Sequence, residues 1–186
     1  PLDLVRPLVK QLKPYSSARD EFHGKGQVFL DANENPFDTG LNRYPDPYQR
    51  TLKEEMGNYL GVPRERLLLG NGSDECLDIL FRTFCDPSDE VIVLPPTYGM
   101  YKMLADLQQA TFVEVPLNDE FRPNLDQIRE QVREKTKLLF VCSPNNPTGN
   151  QIGNDQLREL LKLPVMVVVD EAYIDFCLER TLLPLI

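Results

Sequence analysis

Short runs of apolar residues recur along the second half of the chain, separated by turn-forming residues. Each run has the length of a strand, and the last has no polar face, which is typical of a strand covered on both sides. The runs occupy residues 91–94, 111–115, 137–142 and 165–169. Helical segments separate them, and this alternation predicts an α/β fold with a mostly parallel sheet and helices on both faces.

The segments between these runs are predicted to be helices because their apolar residues recur every three or four positions. The predicted helices lie near residues 48–60, 77–84, 99–109, 125–132 and 157–161. Gly61 is expected to end the first of them. Two further apolar runs, Val28–Leu30 and Leu67–Leu69, are also predicted to be strands.

The length, the net charge and the distribution of apolar residues limit the domain organisation, the partners and the location that we expect for this protein. Residues 1–35 are expected to form an N-terminal arm with part of a small domain, and residues 36–186 the front part of a larger domain. The net charge of −9 argues against nucleic acid and anionic membranes as partners. Apolar runs fall short of the roughly 18 residues of a membrane span, and no signal-peptide pattern opens the sequence, so we expect a cytoplasmic protein.

Cysteine and histidine usage argues against a metal site. The four cysteines are spaced singly, and His23 is the only histidine in the chain. A zinc site needs about four such ligands, and a nucleophile triad would need that one histidine in the right place. We therefore predict no metal, and reduced cysteines in or near the core.

The candidate chemistry lies in four loops that follow predicted strands, where ligands bind in parallel sheets. Ser73 is expected to cap a helix whose first amides face an anion. The other loops offer a flat ring, a side-chain amide, a carboxylate and a phenol, from Tyr98, Asn146, Asp170 and Tyr173. Each loop alone also fits an ordinary connection, and Tyr98 is equally well explained as a core residue with its hydroxyl at the surface.

Taken together, these loops resemble the fold-type I aminotransferases, which use pyridoxal 5'-phosphate. The resembling motifs cover essentially the whole chain, at residues 30–36, 41–45, 70–75, 95–101, 143–149 and 170–176. The resemblance implies that Asp170 pairs with the pyridine nitrogen of the cofactor and that Asn146 and Tyr173 contact its phenolic oxygen. It also implies that Ser73 and Asp74 bind the cofactor phosphate and that Tyr98 stacks on the ring.

The resemblance extends to the first quarter of the chain. Tyr44 matches a tyrosine that reaches the cofactor phosphate of a neighbouring subunit, which implies a homodimer with shared sites. Tyr15, Asn33 and Glu34 match residues that line the substrate pocket. The alternatives are a turn tyrosine packed beside Pro45 and simple packing of the N-terminal segment.

The reaction implied by the resemblance is reversible amino transfer between a small phosphorylated amino substrate and 2-oxoglutarate. The Schiff-base lysine of the family lies beyond the Asp170–Tyr173 motif, and no lysine before Ile186 has a matching context. The sequence is therefore expected to be the front portion of an enzyme, inactive by itself. An aromatic amino-acid transaminase, a phosphothreonine decarboxylase and a non-catalytic association module remain as alternatives.

Overall fold

The computed structural model describes residues 2–22, 24, 26, 28–177 and 181–185, and the chain divides into two compact units. One unit combines residues 1–10 with residues 70–186, and the other comprises residues 11–69. The single histidine, His23, lies outside the described residues. Within the described ranges, no helix combines the length and the apolar character needed to cross a membrane.

The larger unit is built on a sheet of four parallel strands, which confirms the predicted sheet. The strands are β1 (Glu90–Val93), β2 (Thr111–Glu114), β3 (Thr136–Cys142) and β4 (Met166–Asp170). Their order across the sheet is β2-β1-β3-β4. In the register of β3 with the edge strand β4, Cys142 at the end of β3 lies opposite Asp170 at the end of β4. Both strands therefore finish at the same edge of the sheet.

The described part of the chain contains seven α-helices. They are α1 (Pro7–Gln11), α2 (Ala18–Glu21), α3 (Arg50–Leu60), α4 (Ser73–Phe84), α5 (Met100–Gln108), α6 (Leu125–Gln131) and α7 (Asn154–Leu160). Short 3-10 turns lie at Leu2–Leu4, Arg64–Arg66, Ile174–Phe176 and Leu183–Leu185. Gly61 ends α3 with φ 70°, a left-handed conformation that glycine adopts without steric cost, so this prediction is confirmed.

Side chains alternate across the sheet, so each central strand contributes to a core on both faces. On one face, Val91 and Val93 pack with α4 and α5 around the buried ring of Phe81. On the other face, Ile92 and Leu139 pack with α6 and α7. The prediction of helices on both faces of the sheet is thereby confirmed.

Two predicted strands are not strands. Leu67–Leu69 has no pairing partner in the described sheet, and Leu68 is 54% exposed. Val28–Leu30 is irregular as well, and Leu30 is 91% exposed. A strand is stabilised by a hydrogen-bonded neighbour and by a buried face. Because neither run obtains these, both predictions are wrong.

The last strand is covered less completely than its sequence indicates. Residues 166–169 of β4 are half-buried, and only Asp170 at its end is buried. In the described sheet, β4 pairs with β3 alone and so forms an edge. Met166 and Val168 still pack against the core on one face, and Val167 and Val169 against the core on the other. The predicted cover on both faces is therefore confirmed, although the edge position leaves these four residues half-buried.

Candidate active site

Asp170 is a buried carboxylate at the carboxyl end of β4, with 8% of its surface exposed. One carboxylate oxygen, Oδ2, accepts a hydrogen bond from the hydroxyl of Tyr101 at 2.7 Å. The other, Oδ1, accepts from the backbone N–H of Ala172 at 3.1 Å. Two donors on separate oxygens fix the orientation of the carboxyl group, and each oxygen keeps a second lone pair for another partner.

Asp170 forms part of the wall of a cavity of about 260 Å³ at this edge of the sheet. The structure brings six of the residues singled out from the sequence onto this one cavity. They are Ser73, Asp74, Tyr98, Asn146, Asp170 and Tyr173. The remaining lining residues are Asn71, Gly72, Cys142 and Ala172. All of them belong to the larger unit.

The start of α4 contributes backbone N–H groups to the cavity wall. Gly72 is the N-cap, with φ 81°, and Ser73 is the first helical residue, so the expectation that Ser73 caps the helix is wrong. The glycine takes that position because a positive φ is strained for residues with a Cβ. The N–H groups of Ser73 and Asp74 have no carbonyl acceptor within the helix, and the helix dipole makes them attractive to an anion.

Tyr98 closes the cavity from the side of α5. Its hydroxyl donates to the carboxylate of Asp74, at 3.2 Å from Oδ1 and 3.3 Å from Oδ2. Burial of the phenol, followed by the negative charge of Asp74, raises the pKa of Tyr98 above its ordinary value. The phenol is therefore neutral and acts as a donor. Its ring meets the ring of Tyr101 edge-on, with centroids 5.7 Å apart.

The two adjacent asparagines in the loop after β3 have different surroundings. Asn145 is 6% exposed and is held by other loop residues, whereas Asn146 lines the cavity. The side-chain amide of Asn145 donates to the carbonyl of Pro96 at 2.9 Å and to the hydroxyl of Thr148 at 2.7 Å. Asn145 thus supports the loop from within while Asn146 faces the space where a ligand would bind.

Sequence reasoning did not single out two residues that organise the site, Tyr101 and Asn145. Tyr101 lies three residues after Tyr98, on the face of α5 that packs in the core, and it is fully buried. That spacing predicts a core residue, and the amphipathic pattern alone does not reveal the hydrogen bond to Asp170. Asn145 gave the same sequence signal as its neighbour Asn146.

The other predicted site residues lie in the smaller unit, residues 11–69. The Glu34 carboxylate accepts hydrogen bonds from the guanidinium of Arg19 at 3.0 Å and of Arg43 at 2.6 Å, and from the N–H of Tyr44 at 2.9 Å. These partners, Arg19 first, lower the pKa of Glu34 to about 2. Asn33 is exposed, as are the side chains of Tyr15 and Tyr44, at 85% and 66%.

Comparison with known proteins shows the family to which the chain belongs. The family model for aminotransferase class I and II matches residues 27–184. The chain belongs to this aminotransferase family. Among its relatives, a histidinol-phosphate aminotransferase from Christiangramia forsetii is 56% identical over 93% of the chain and 51% of the relative. One from Flavobacterium johnsoniae is 51% identical over the same shares. The chain thus spans about half the length of the relatives that it matches.

The aminotransferase fold is also found among solved structures. The histidinol-phosphate aminotransferase from Sinorhizobium meliloti, solved in complex with pyridoxal-5'-phosphate, superposes with a TM-score of 0.66 and 26% identity. The match covers 72% of this chain and 37% of that one. The described sheet and helices therefore form part of a fold-type I aminotransferase.

The residues around the cavity fit the cofactor that the family implies. Pyridoxal phosphate is a flat ring with a basic nitrogen, a phenolic oxygen and a phosphate. The cavity wall offers one group suited to each of these, namely the buried carboxylate of Asp170, the polar groups of Asn146 and Tyr173, and the first N–H groups of α4.

Proposed function

We propose that the protein is a pyridoxal-phosphate-dependent histidinol-phosphate aminotransferase. The reaction is reversible amino transfer between L-histidinol phosphate and 2-oxoglutarate, giving imidazole acetol phosphate and glutamate, a step of L-histidine biosynthesis. The observation that carries the proposal is the buried carboxylate of Asp170 in one cavity with Asn146, Tyr173 and the start of α4. The names of the relatives, at about half identity over nearly the whole chain, support the choice of substrate.

In this proposal, the carboxylate of Asp170 is the charge partner of the ring nitrogen. When bound, pyridoxal phosphate supplies a conjugated ring that accepts the electron pair left at the alpha carbon of the substrate. The anionic Asp170 favours the protonated form of the ring nitrogen, because an opposite charge at hydrogen-bond distance stabilises the cation. Burial strengthens that attraction relative to water.

Other residues of the chain orient the ring and hold the phosphate. Asn146 and Tyr173 donate hydrogen bonds to the phenolic oxygen from their side-chain amide and hydroxyl. The N–H groups of Ser73 and Asp74 bind the phosphate at the N-terminus of α4. Tyr98 packs its ring against the flat face of the cofactor, with its hydroxyl already engaged by Asp74.

The substrate pocket and the homodimer extend this proposal to the smaller unit. Tyr15, Asn33 and Glu34 are proposed to line the substrate pocket, and Tyr44 to reach the cofactor phosphate of the neighbouring subunit. The exposed side chain of Tyr44 is compatible with such a role, since 66% of it is accessible in a single chain.

The experiment measures glutamate formation from L-histidinol phosphate and 2-oxoglutarate by the full-length protein that contains this chain, purified and loaded with pyridoxal phosphate. Phenylalanine and phosphothreonine, tested in the same assay and for released carbon dioxide, distinguish the related activities. We expect histidinol phosphate to give the highest kcat/KM by at least about tenfold. A higher value for either competitor, or no turnover with any of the three, would contradict the proposed substrate.

The shared site is tested with mixed dimers of Tyr44→Ala and Asp170→Asn subunits. If Tyr44 serves the neighbouring subunit, one site of each mixed dimer has both residues intact and activity returns. If Tyr44 serves its own subunit, both sites of the mixed dimer are damaged. Absence of recovery would therefore exclude the shared arrangement.

A further inference from the structure

Tyr101 is a fully buried tyrosine that contacts two residues of the candidate site without lining the cavity itself. Its hydroxyl donates to Oδ2 of Asp170 at 2.7 Å. Its ring meets Tyr98 edge-on, at an interplanar angle of 89°. The ring of Tyr101 also stacks on the ring of Phe140 in β3, with centroids 4.7 Å apart. One side chain therefore touches the proposed partner of the ring nitrogen and the proposed stacking ring together.

The polar end of Tyr101 is not required by packing, because a phenylalanine would fill the same ring volume. Burial of a hydroxyl costs free energy of desolvation. Here the hydrogen bond to the carboxylate of Asp170 offsets that cost. Burial, and then the charge of Asp170, raise the pKa of Tyr101 well above its ordinary value. The phenol therefore stays protonated and always donates to the carboxylate.

A donated hydrogen bond has a defined effect on Asp170. It replaces part of the water that burial removes from the carboxylate, so the carboxylate can serve as the partner of a protonated nitrogen in the cavity. It also occupies Oδ2 from the side of α5, while the N–H of Ala172 occupies Oδ1. The remaining lone pairs are then held in one orientation beside the cavity.

We propose that Tyr101 is a positioning residue that holds the carboxylate of Asp170 toward the ring nitrogen of the cofactor and that fixes the ring of Tyr98. This inference rests on the proposed function, since it concerns the same cofactor. It adds a residue that acts through Asp170 and makes no contact with the cofactor.

The test replaces Tyr101 by phenylalanine and follows the cofactor directly. The holoprotein is loaded with pyridoxal phosphate labelled with nitrogen-15 in the ring, and the nitrogen resonance and the dissociation constant of the cofactor are measured. Tyr59→Phe is the matched control, because Tyr59 is 79% exposed on α3. We expect Tyr101→Phe to move the resonance toward that of a neutral nitrogen and to weaken binding about tenfold, with Tyr59→Phe unchanged.

The same replacement in an Asp170→Asn background separates positioning from packing. If Tyr101 acts through the charged carboxylate, its replacement has a much smaller effect once that charge is gone. A wild-type resonance and affinity in Tyr101→Phe, or an equal loss of affinity in both backgrounds, would overturn the inference. If Asp170→Asn alone leaves resonance and affinity unchanged, the proposed role of Asp170 fails first, which is a distinct result.

A measurement on the wild-type protein covers the case in which Tyr101→Phe does not fold. With tyrosine labelled at Cζ with carbon-13 at position 101, the addition of pyridoxal phosphate should shift the Cζ resonance. The reason is that the ring nitrogen takes up part of the charge that the phenol faces. An unshifted resonance at saturating cofactor would overturn the inference.

Discussion

The hydroxyl of Thr97 donates to the side-chain oxygen of Asn145 at 3.0 Å and so joins two loops that leave different strands. Thr97 belongs to the loop that presents Tyr98, and Asn145 precedes the cavity residue Asn146. The amide of Asn145 adds a bond to the carbonyl of Pro96 on the same loop as Thr97. The spacing between Tyr98 and Asn146 therefore depends on Asn145, which is not itself a proposed cofactor contact.

Replacement of Asn145 by alanine should release these two loops from each other. It removes the side-chain hydrogen bonds of this buried asparagine with Thr97, Pro96 and Thr148, which should lower the free energy of unfolding by about 1–3 kcal/mol. Cofactor affinity should fall as well, although every proposed cofactor contact is still present. Urea denaturation and cofactor titration measure the two effects. Asn58→Ala, an exposed asparagine on α3, is the control and should change neither; an unchanged free energy of unfolding in Asn145→Ala would refute the bracing role.

Replacement of Asp170 by asparagine should preserve the fold and greatly reduce turnover. The amide has the same shape, and its oxygen can still accept from Tyr101 or from the N–H of Ala172, but it carries no charge to favour a protonated ring nitrogen. We expect kcat to fall by about 100-fold or more, as is typical for loss of one electrostatic contact in an active site. Steady-state kinetics of the holoprotein and circular dichroism measure the change. Turnover close to wild type in a folded variant would remove Asp170 from the mechanism.

Arg6 ties the N-terminal segment to the end of α4. Its Nε donates to Asp86 Oδ1 at 2.7 Å and its Nη1 to the carbonyl of Arg82 at 2.8 Å, while its backbone N–H bonds to Thr83. Arg6→Ala should reduce the free energy of unfolding by about 1–2 kcal/mol, since the arginine side chain is largely buried.

The matched control for Arg6 is Arg64→Ala, which breaks an exposed ion pair with Glu65. Solvent screens that pair, so its loss should be undetectable in thermal or urea denaturation. Equal effects of the two replacements would show that the contacts of Arg6 with the end of α4 add nothing to stability.

The ion pairs of Glu34 predict acid sensitivity in the smaller unit. Its pKa is lowered from 4.5 to about 2, chiefly by the hydrogen bond from Arg19. The stabilisation is therefore fully present above pH 4.5 and is lost as the pH falls toward 2. Glu34→Gln should flatten the decrease of stability across this window. Thermal denaturation at several pH values measures it, with Glu55→Gln on α3 as control; an unchanged acid profile in Glu34→Gln would contradict the assignment.

Local sequence patterns were sufficient for the parts of the site that a single element determines. The apolar run before Asp170 predicted a strand with a carboxylate at its end, and Gly61 predicted the end of α3. Both signals are local, because strand burial and the left-handed turn depend on a few neighbouring residues. The convergence of Tyr98, Asn146 and Asp170 followed from the parallel sheet, since its strands end at one edge. Ser73 and Asp74 lie at the same cavity although no strand of the described sheet precedes them.

The remaining features depend on contacts between distant positions. Tyr101 and Asp170 are separated by 69 positions, and nothing in the helical spacing of α5 indicates which buried side chain faces a carboxylate. Leu67–Leu69 has the apolar character of a strand but obtains no neighbour to pair with. At the start of α4, serine is the favoured cap, yet the backbone turn at Gly72 demands a positive φ and moves the helix start by one residue.

The rings of Phe81, Phe140 and Tyr101 form a continuous column on one face of the sheet, with centroids 5.3 Å and then 4.7 Å apart, and it reaches from α4 to the carboxylate of Asp170. The aromatic core that stabilises the larger unit therefore also supports the edge of the sheet at which the cavity lies. Replacement of Phe81 by a smaller residue would allow the rings of Phe140 and Tyr101 to shift. A substitution that is made there to alter thermal stability should therefore also alter catalytic activity.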